Sequence, residues 1–185
     1  MIGQLPKTLK IGGVLYNLRT DYRNIFRILE AYGDADLSAI EKAIICVKRI
    51  YVEKIPGKDF EEAYNKACWF IDGGDTYKSA KSENVRLVDY EQDEIPLFAA
   101  INDVAKTEVR ALEYLHWWTF LSYYISIKDG LFAQIINIRS KQAHHKKLEK
   151  YEQEFYNANK EMVNLCKRYS SEQQAEIERI KKLLG

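Results

Sequence analysis

The chain has 185 residues, of which 46% are hydrophobic and 30% are charged, a balance typical of a folded globular protein. The 28 basic and 27 acidic residues leave a net charge of +1, which excludes a general attraction to nucleic acid or anionic lipid. The three cysteines form no CxxC pair, so we expect small buried side chains in a reducing compartment.

The first predicted element is a β-hairpin. Hydrophobic residues alternate with polar ones over residues 5–18, and Gly12 and Gly13 interrupt them at the centre. Two glycines tolerate the positive φ angles of a tight turn. A lone hairpin is marginal in water, so we expect it to pack on helices.

Three helices are predicted next. Asp21 is a typical N-cap for the first helix, which Gly33 ends. Asp36 or Ser38 caps the second helix, and Asp59 caps the third. Only 3 prolines and 9 glycines occur in the chain, which also favours helices.

A polar segment without periodicity, residues 75–88, is predicted to be a flexible connector. The acidic run 89–94 and the apolar run 96–101 follow it and predict a fourth helix. If Asp89 were its cap, Pro96 would lie in the helix interior, whereas a start near Glu94 avoids this conflict.

The most hydrophobic segment, residues 114–127, lies in a helix predicted from residue 106 to residue 127. Its polar members recur at steps of three, three and four, so they share one narrow stripe of the helix; they are His116, Thr119, Ser122 and Ser126. Such a helix belongs in a core or against a partner. Trp117 and Trp118 point about 100° apart, so one can face the core while the other faces out.

A basic stretch, residues 139–150, follows a short apolar helix over 131–138. It predicts a solvated helix face or a docking site for an acidic partner, with the acidic run 89–94 of a second copy as its complement. Phosphate binding is the alternative, but no aromatic residues interleave to stack bases. A long heteropolar helix and a final helix over 171–184 complete the chain.

Catalytic signatures are absent from the sequence: it contains no GxSxG, HExxH, GxGxxG or P-loop motif. The side chains of His144 and His145 would point in different directions on a helix, so they cannot readily coordinate the same metal ion. We interpret Asp93 and Glu94 as solvated acids at the start of a helix. We therefore expect no catalytic, metal or cofactor site and no enzyme. The hydrophobic segment is shorter than the roughly 20 residues that span a bilayer, and no secretory signal is expected.

Four blocks together resemble the bacteriophage gene-product-fifteen family in order and spacing. They are residues 89–102, 113–120, 138–141 and 147–156. The resemblance implies a tail assembly chaperone of long-tailed phages and prophages of Gram-positive bacteria. Such a protein acts in the host bacterial cytoplasm, where it coats the long helical tape measure protein before the tail tube forms around it.

The prediction is thus a mainly α protein, a helical bundle with a small N-terminal β-hairpin in one domain (residues 1–168) and a C-terminal helix (residues 169–185). Its partners would be the tape measure protein, the tail tube protein and further copies of itself, with no membrane and no nucleic acid. The predicted contact residues are Trp117, Trp118, Tyr124, Arg139 and Lys141. Two alternatives stay open: a structural tail component retained in the virion, and a nucleic-acid-binding accessory protein using residues 139–150.

Overall fold

The structure, a computed structural model, describes residues 3–74 and 85–184. Within these ranges the protein is mainly α, with nine α-helices and one two-stranded antiparallel hairpin, as predicted. Its internal contacts divide the chain into two units, residues 1–75 with 167–185 (unit 1) and residues 76–166 (unit 2). The predicted boundary at residue 168 stays a prediction.

The hairpin of unit 1 consists of β1 (Thr8–Ile11) and β2 (Val14–Asn17), joined at the predicted Gly12–Gly13 turn. Both glycines have positive φ, +54° and +87°, a backbone conformation that other residues rarely adopt. The Gly12 amide donates to Glu62 Oε2 at 2.9 Å, so the turn is tied to the third helix. Inward-facing Leu9 and Ile11 are buried.

The predicted helices follow as α1 (Tyr22–Gly33), α2 (Ala39–Ile50) and α3 (Phe60–Ile71). Asp21 caps α1 by accepting from the Arg23 amide at 3.0 Å. Ser38, not Asp36, caps α2, because it forms a reciprocal capping box with Glu41. The core of the unit contains Ile25, Ile28, Cys46, Ile50 and Phe70, all fully buried.

Unit 2 contains α4 (Glu94–Ala105), α5 (Trp117–Ile125), α6 (Gly130–Ala143), α7 (Lys150–Ala158) and α8 (Lys160–Val163). Its core is formed mainly by α4, α5 and α6 through Leu97, Ile101, Phe120, Ile135 and Ile138. α4 begins at Glu94, the later of the two predicted starts, and Pro96 therefore lies in its first turn. The last helix, α9 (Ser171–Leu184), belongs to unit 1.

The helix that contains the hydrophobic segment 114–127 was predicted to begin at residue 106, and this start is wrong. Lys106 adopts a left-handed conformation that ends α4, and a short 3₁₀ turn, Val109–Ala111, follows it. α5 begins at Trp117 because His116 caps it: the imidazole Nδ1 accepts from the Trp118 amide at 3.0 Å. His116 is therefore a buried capping residue and not part of an extended polar stripe.

Three further predictions need correction. α6 does not end at residue 138 but continues to Ala143, five residues into the basic stretch. The predicted long heteropolar helix is broken between α7 and α8 at Asn159, whose backbone is not helical. Cys46 is buried as expected, but Cys68 is half-buried and Cys166 is exposed. Most of the predicted connector, residues 75–84, lies outside the described residues.

Candidate protein-binding groove

An apolar groove of about 440 Å³ lies between the end of α5 and one face of α6 in unit 2. We call it the α5–α6 groove. The nine residues that line it are Leu87, Tyr124, Ile125, Ile127, Phe132, Ala133, Ile136, Asn137 and Ser140. None of the nine carries a formal charge, so the groove suits an apolar rather than an ionic ligand.

The local sequence explains why α5 stops beside α6. Ser122 and Ser126 bond back to the carbonyls of Trp118 and Ser122 at 2.8 Å, which weakens the helix at its last turn. Gly130 then reverses the chain with a φ of +90°. Because α6 starts at once, Phe132 meets Tyr124 edge to face, with ring centroids 6.0 Å apart.

The α6 side of the groove follows helical spacing. Phe132, Ile136 and Ser140 are four residues apart and therefore share one face of α6. Phe132 is buried, Ile136 is half-buried, and Ile125 on the opposite rim is 77% exposed. The groove thus has a packed floor and an open hydrophobic edge, the arrangement that receives the apolar side chains of a partner helix.

A buried ion pair supports the groove from within the unit. Arg139 of α6 is 4% exposed, and its guanidinium holds both oxygens of Asp93, at 2.6 and 2.9 Å. It also donates to the carbonyls of Leu87 (2.8 Å), Met162 (3.0 Å) and Val163 (2.6 Å). All five N–H groups of the guanidinium donate hydrogen bonds, and the one to the Leu87 carbonyl fixes that residue at the groove edge.

The acidic run is only partly the solvated helix start that we predicted, because Glu94 is exposed at the start of α4 whereas Asp93 is buried. Asp89 and Asp93 are buried, and the Asp89 amide donates to Asp93 Oδ2 at 2.9 Å. Asp89 also pairs with Arg86. We predicted that the acidic run would meet the basic stretch of a second copy, but Asp93 and Arg139 meet within one chain. Contact between copies stays a prediction.

Two tyrosines of unit 2, Tyr90 and Tyr124, have raised pKa values. Burial and the Asp93 carboxylate raise the pKa of the Tyr124 phenol, because both disfavour a phenolate there. Burial raises the pKa of Tyr90 to about 12. Both phenols therefore stay neutral at physiological pH, and the groove gains no charge from them.

The predicted contact residues lie in different places. Tyr124 lines the groove, whereas Trp117 is buried and stacks on Phe120, and Trp118 is half-buried outside the groove lining. Arg139 lies beneath the groove.

Lys141 is the fifth predicted contact residue. It contacts both carboxylate oxygens of Glu152, at 2.6 and 2.7 Å, a pairing that raises the pKa of Lys141 and lowers that of Glu152. The interaction roles of these five residues stay predictions.

Sequence reasoning missed the groove residues Ile125, Phe132, Ala133 and Ile136. The helical spacing of Phe132 and Ile136 was visible in the short apolar helix predicted over 131–138, but the sequence did not indicate which neighbour covers its faces. Within residues 3–74 and 85–184, no cluster of three or more potential ligands could hold a metal ion. Over the same residues, no helix is both long and apolar enough to cross a membrane.

A comparison with protein families matches residues 1–165 of the chain to the bacteriophage Gp15 protein family. The match covers both the hairpin and the α5–α6 groove. Searches of curated proteins and of solved structures return no match. Because the family match spans most of the chain, this protein belongs to the bacteriophage Gp15 protein family.

Proposed function

We propose that this protein is a phage tail assembly chaperone that binds apolar helical segments of the tape measure protein and keeps that protein soluble until the tail tube forms around it. The observation that carries the proposal is the uncharged α5–α6 groove with its open hydrophobic edge. Membership in a phage protein family supports the biological setting.

The groove has a size that fits this role. A volume of about 440 Å³ accepts a few large side chains, which matches one face of two helical turns. Burying one large apolar side chain is worth about 1.5–3 kcal/mol. A contact of this size is weak enough to reverse, and repetition along a long partner makes the whole coat stable. Tube protein can then displace the chaperone one contact at a time.

The proposal includes no catalytic step. It places the protein in the host bacterial cytoplasm, in contact with the tape measure protein, with tail tube protein at release, and with copies of itself. We favour a protein partner over nucleic acid because two cations of the basic stretch, Arg139 and Lys141, are engaged by Asp93 and Glu152 within the chain. A virion component is the other alternative, and detecting the chain in purified virions would support it against a chaperone.

Co-expression with the tape measure protein tests the proposal. Ile125→Glu places a charge on the groove edge at a side chain that is 77% exposed, so the fold should tolerate it. Ile95→Glu is the matched control, because Ile95 is 80% exposed on α4 of the same unit and does not line the groove. We expect the wild-type protein and Ile95→Glu to keep the tape measure protein soluble and Ile125→Glu to lose most of this effect.

Two outcomes would contradict the proposal. One is a tape measure protein that is equally insoluble with and without the wild-type chain. The other is full solubilisation by Ile125→Glu, which would show that the tape measure protein does not bind at the α5–α6 groove.

A further inference from the structure

A second groove, of about 460 Å³, lies between α1 and α2 in unit 1. We call it the basic groove, because four of its lining residues are Arg19, Arg27, Lys48 and Arg49. Ala31 and Ile45 provide apolar surface, and no acidic side chain lines it. Four cations in one groove are unexpected in a chain with a net charge of +1.

Of the four cations, only Arg19 forms side-chain hydrogen bonds within the described parts of the chain. The Arg19 guanidinium donates to the carbonyls of Lys48 and Arg49 at 3.1 Å and so caps the C-terminal end of α2. Arg27, Lys48 and Arg49 are exposed, and none of them forms an ion pair with any residue in the described parts of the chain. The groove therefore presents a positive field above an apolar floor.

α9 has the complementary character. Part of its apolar stripe is uncovered: Ile180 is 45% exposed and Leu183 is 78% exposed, whereas Ile177 is half-buried. Glu172 and Glu176, four residues apart, flank this stripe on one side of the first two turns. The only ion pair of Glu176 in the described residues is a 3.8 Å contact with Arg179.

The second half of α9 is basic, with Lys181 and Lys182 near its end. The helix is thus acidic at its start and basic at its end. This polarity decides whether α9 can occupy the basic groove of its own chain.

A fold-back within one chain is disfavoured by this charge order. Ser171 is fixed to Asp36 in the α1–α2 connector by hydrogen bonds of 2.7 and 2.6 Å, so α9 starts at that end of the helix pair. Folded back along α1 and α2, it would bring its basic end towards Lys48 and Arg49. A helix from another copy has no such tether and can lie in the opposite direction.

We propose that α9 of one copy docks in the basic groove of a second copy, with its acidic start towards Lys48 and Arg49. Glu172 and Glu176 then face Arg27, Lys48 and Arg49, while Ile180 and Leu183 cover the apolar floor. The lengths agree, since α9 is about 21 Å long and α1 and α2 are about 18 Å long. Each copy offers both a helix and a groove, so two copies can exchange helices or several can join head to tail.

This inference does not depend on the tape measure protein, because it concerns the purified chain alone. α9 lies beyond residues 1–165, the part that matches the family, so the family match does not supply it. The contact is electrostatic at its rim, and we expect salt to weaken it.

Charge exchange tests the contact. Arg27→Glu with Lys48→Glu makes an acidic groove, and Glu172→Lys with Glu176→Lys makes a basic helix; the full-length double variants are followed by sedimentation velocity over a range of concentrations. We expect each double variant alone to self-associate at least about tenfold more weakly than the wild type, a loss of about 1.4 kcal/mol. An equimolar mixture of the two should associate again, because each groove then meets a helix of opposite charge.

Lys54→Glu with Lys58→Glu is the control for the groove variant, since it also replaces two cations by two acids, at exposed residues outside the groove. Circular dichroism checks that the variants keep their helix content. A wild-type chain that stays monomeric, double variants that associate normally, or a mixture that does not recover with helices intact would each overturn the proposal. So would a groove variant that still self-associates but loses binding to heparin, which would make the groove a polyanion site instead.

Discussion

Replacing Arg139 by methionine should strongly destabilise unit 2. The methionine keeps much of the volume but removes all five hydrogen-bond donors. Asp93, 1% exposed, then loses its cationic partner and keeps the Asp89 amide as a hydrogen-bond donor, and the carbonyls of Leu87, Met162 and Val163 lose the guanidinium donor. Breaking a buried ion pair on one side typically costs about 3–5 kcal/mol. We expect a loss in this range, a large part of the usual 5–15 kcal/mol of total stability.

The assay is urea unfolding followed by circular dichroism, with Lys146→Met as the control. Lys146 is an exposed cation of the same basic stretch, so its loss should change the free energy of unfolding by less than about 0.5 kcal/mol. Arg139→Lys keeps the charge but cannot form the fork and should fall between methionine and wild type. A loss below about 1 kcal/mol for Arg139→Met would refute the reasoning.

Three smaller predictions concern single side chains. Burial raises the pKa of Tyr90 from 10.0 to about 12, so the stability that neutral Tyr90 contributes is complete below pH 10 and is lost as the pH rises towards 12. Tyr90→Phe should therefore reduce the fall in the urea midpoint between pH 10 and pH 12. An unchanged pH profile of the urea midpoint would contradict this prediction. Burial raises the pKa of Cys46 to about 11, so Ellman's reagent should label exposed Cys166 first, half-buried Cys68 later and Cys46 only on unfolding. Labelling of the folded double variant Cys68→Ser with Cys166→Ser would be inconsistent with this. Ser38→Ala removes the capping box of α2 and should lower the midpoint of thermal unfolding by about 2–4 °C; no shift would show that the cap adds nothing.

Local signals in the sequence predicted much of the fold. The Gly12–Gly13 pair located the hairpin turn, and Asp21 and Gly33 bounded α1, because caps and turns depend on a few neighbouring residues. The start of α5 was missed for a related reason. His116 is not a usual N-cap, and nothing before it in the sequence marks the end of the non-helical segment.

The site was less predictable, because burial depends on residues that are distant in the sequence. Arg139 and Asp93 are 46 positions apart, and each looked like a surface charge in its own segment. Only the packing of α6 against the start of α4 brings them together. The α5–α6 groove has the same origin: Tyr124 was predicted as a contact residue, but its neighbours Ile136 and Leu87 come from separate segments.

Site-specific photocrosslinking inside cells tests the central claim most directly. A benzophenone amino acid replaces Ile125 on the groove edge or, in a separate variant, equally exposed Ile95 on α4, and each variant is co-expressed with the tape measure protein. We predict a crosslink to the tape measure protein from position 125 and little or none from position 95. Crosslinks from position 95 alone, or equal crosslinks from both positions, would contradict binding through the α5–α6 groove.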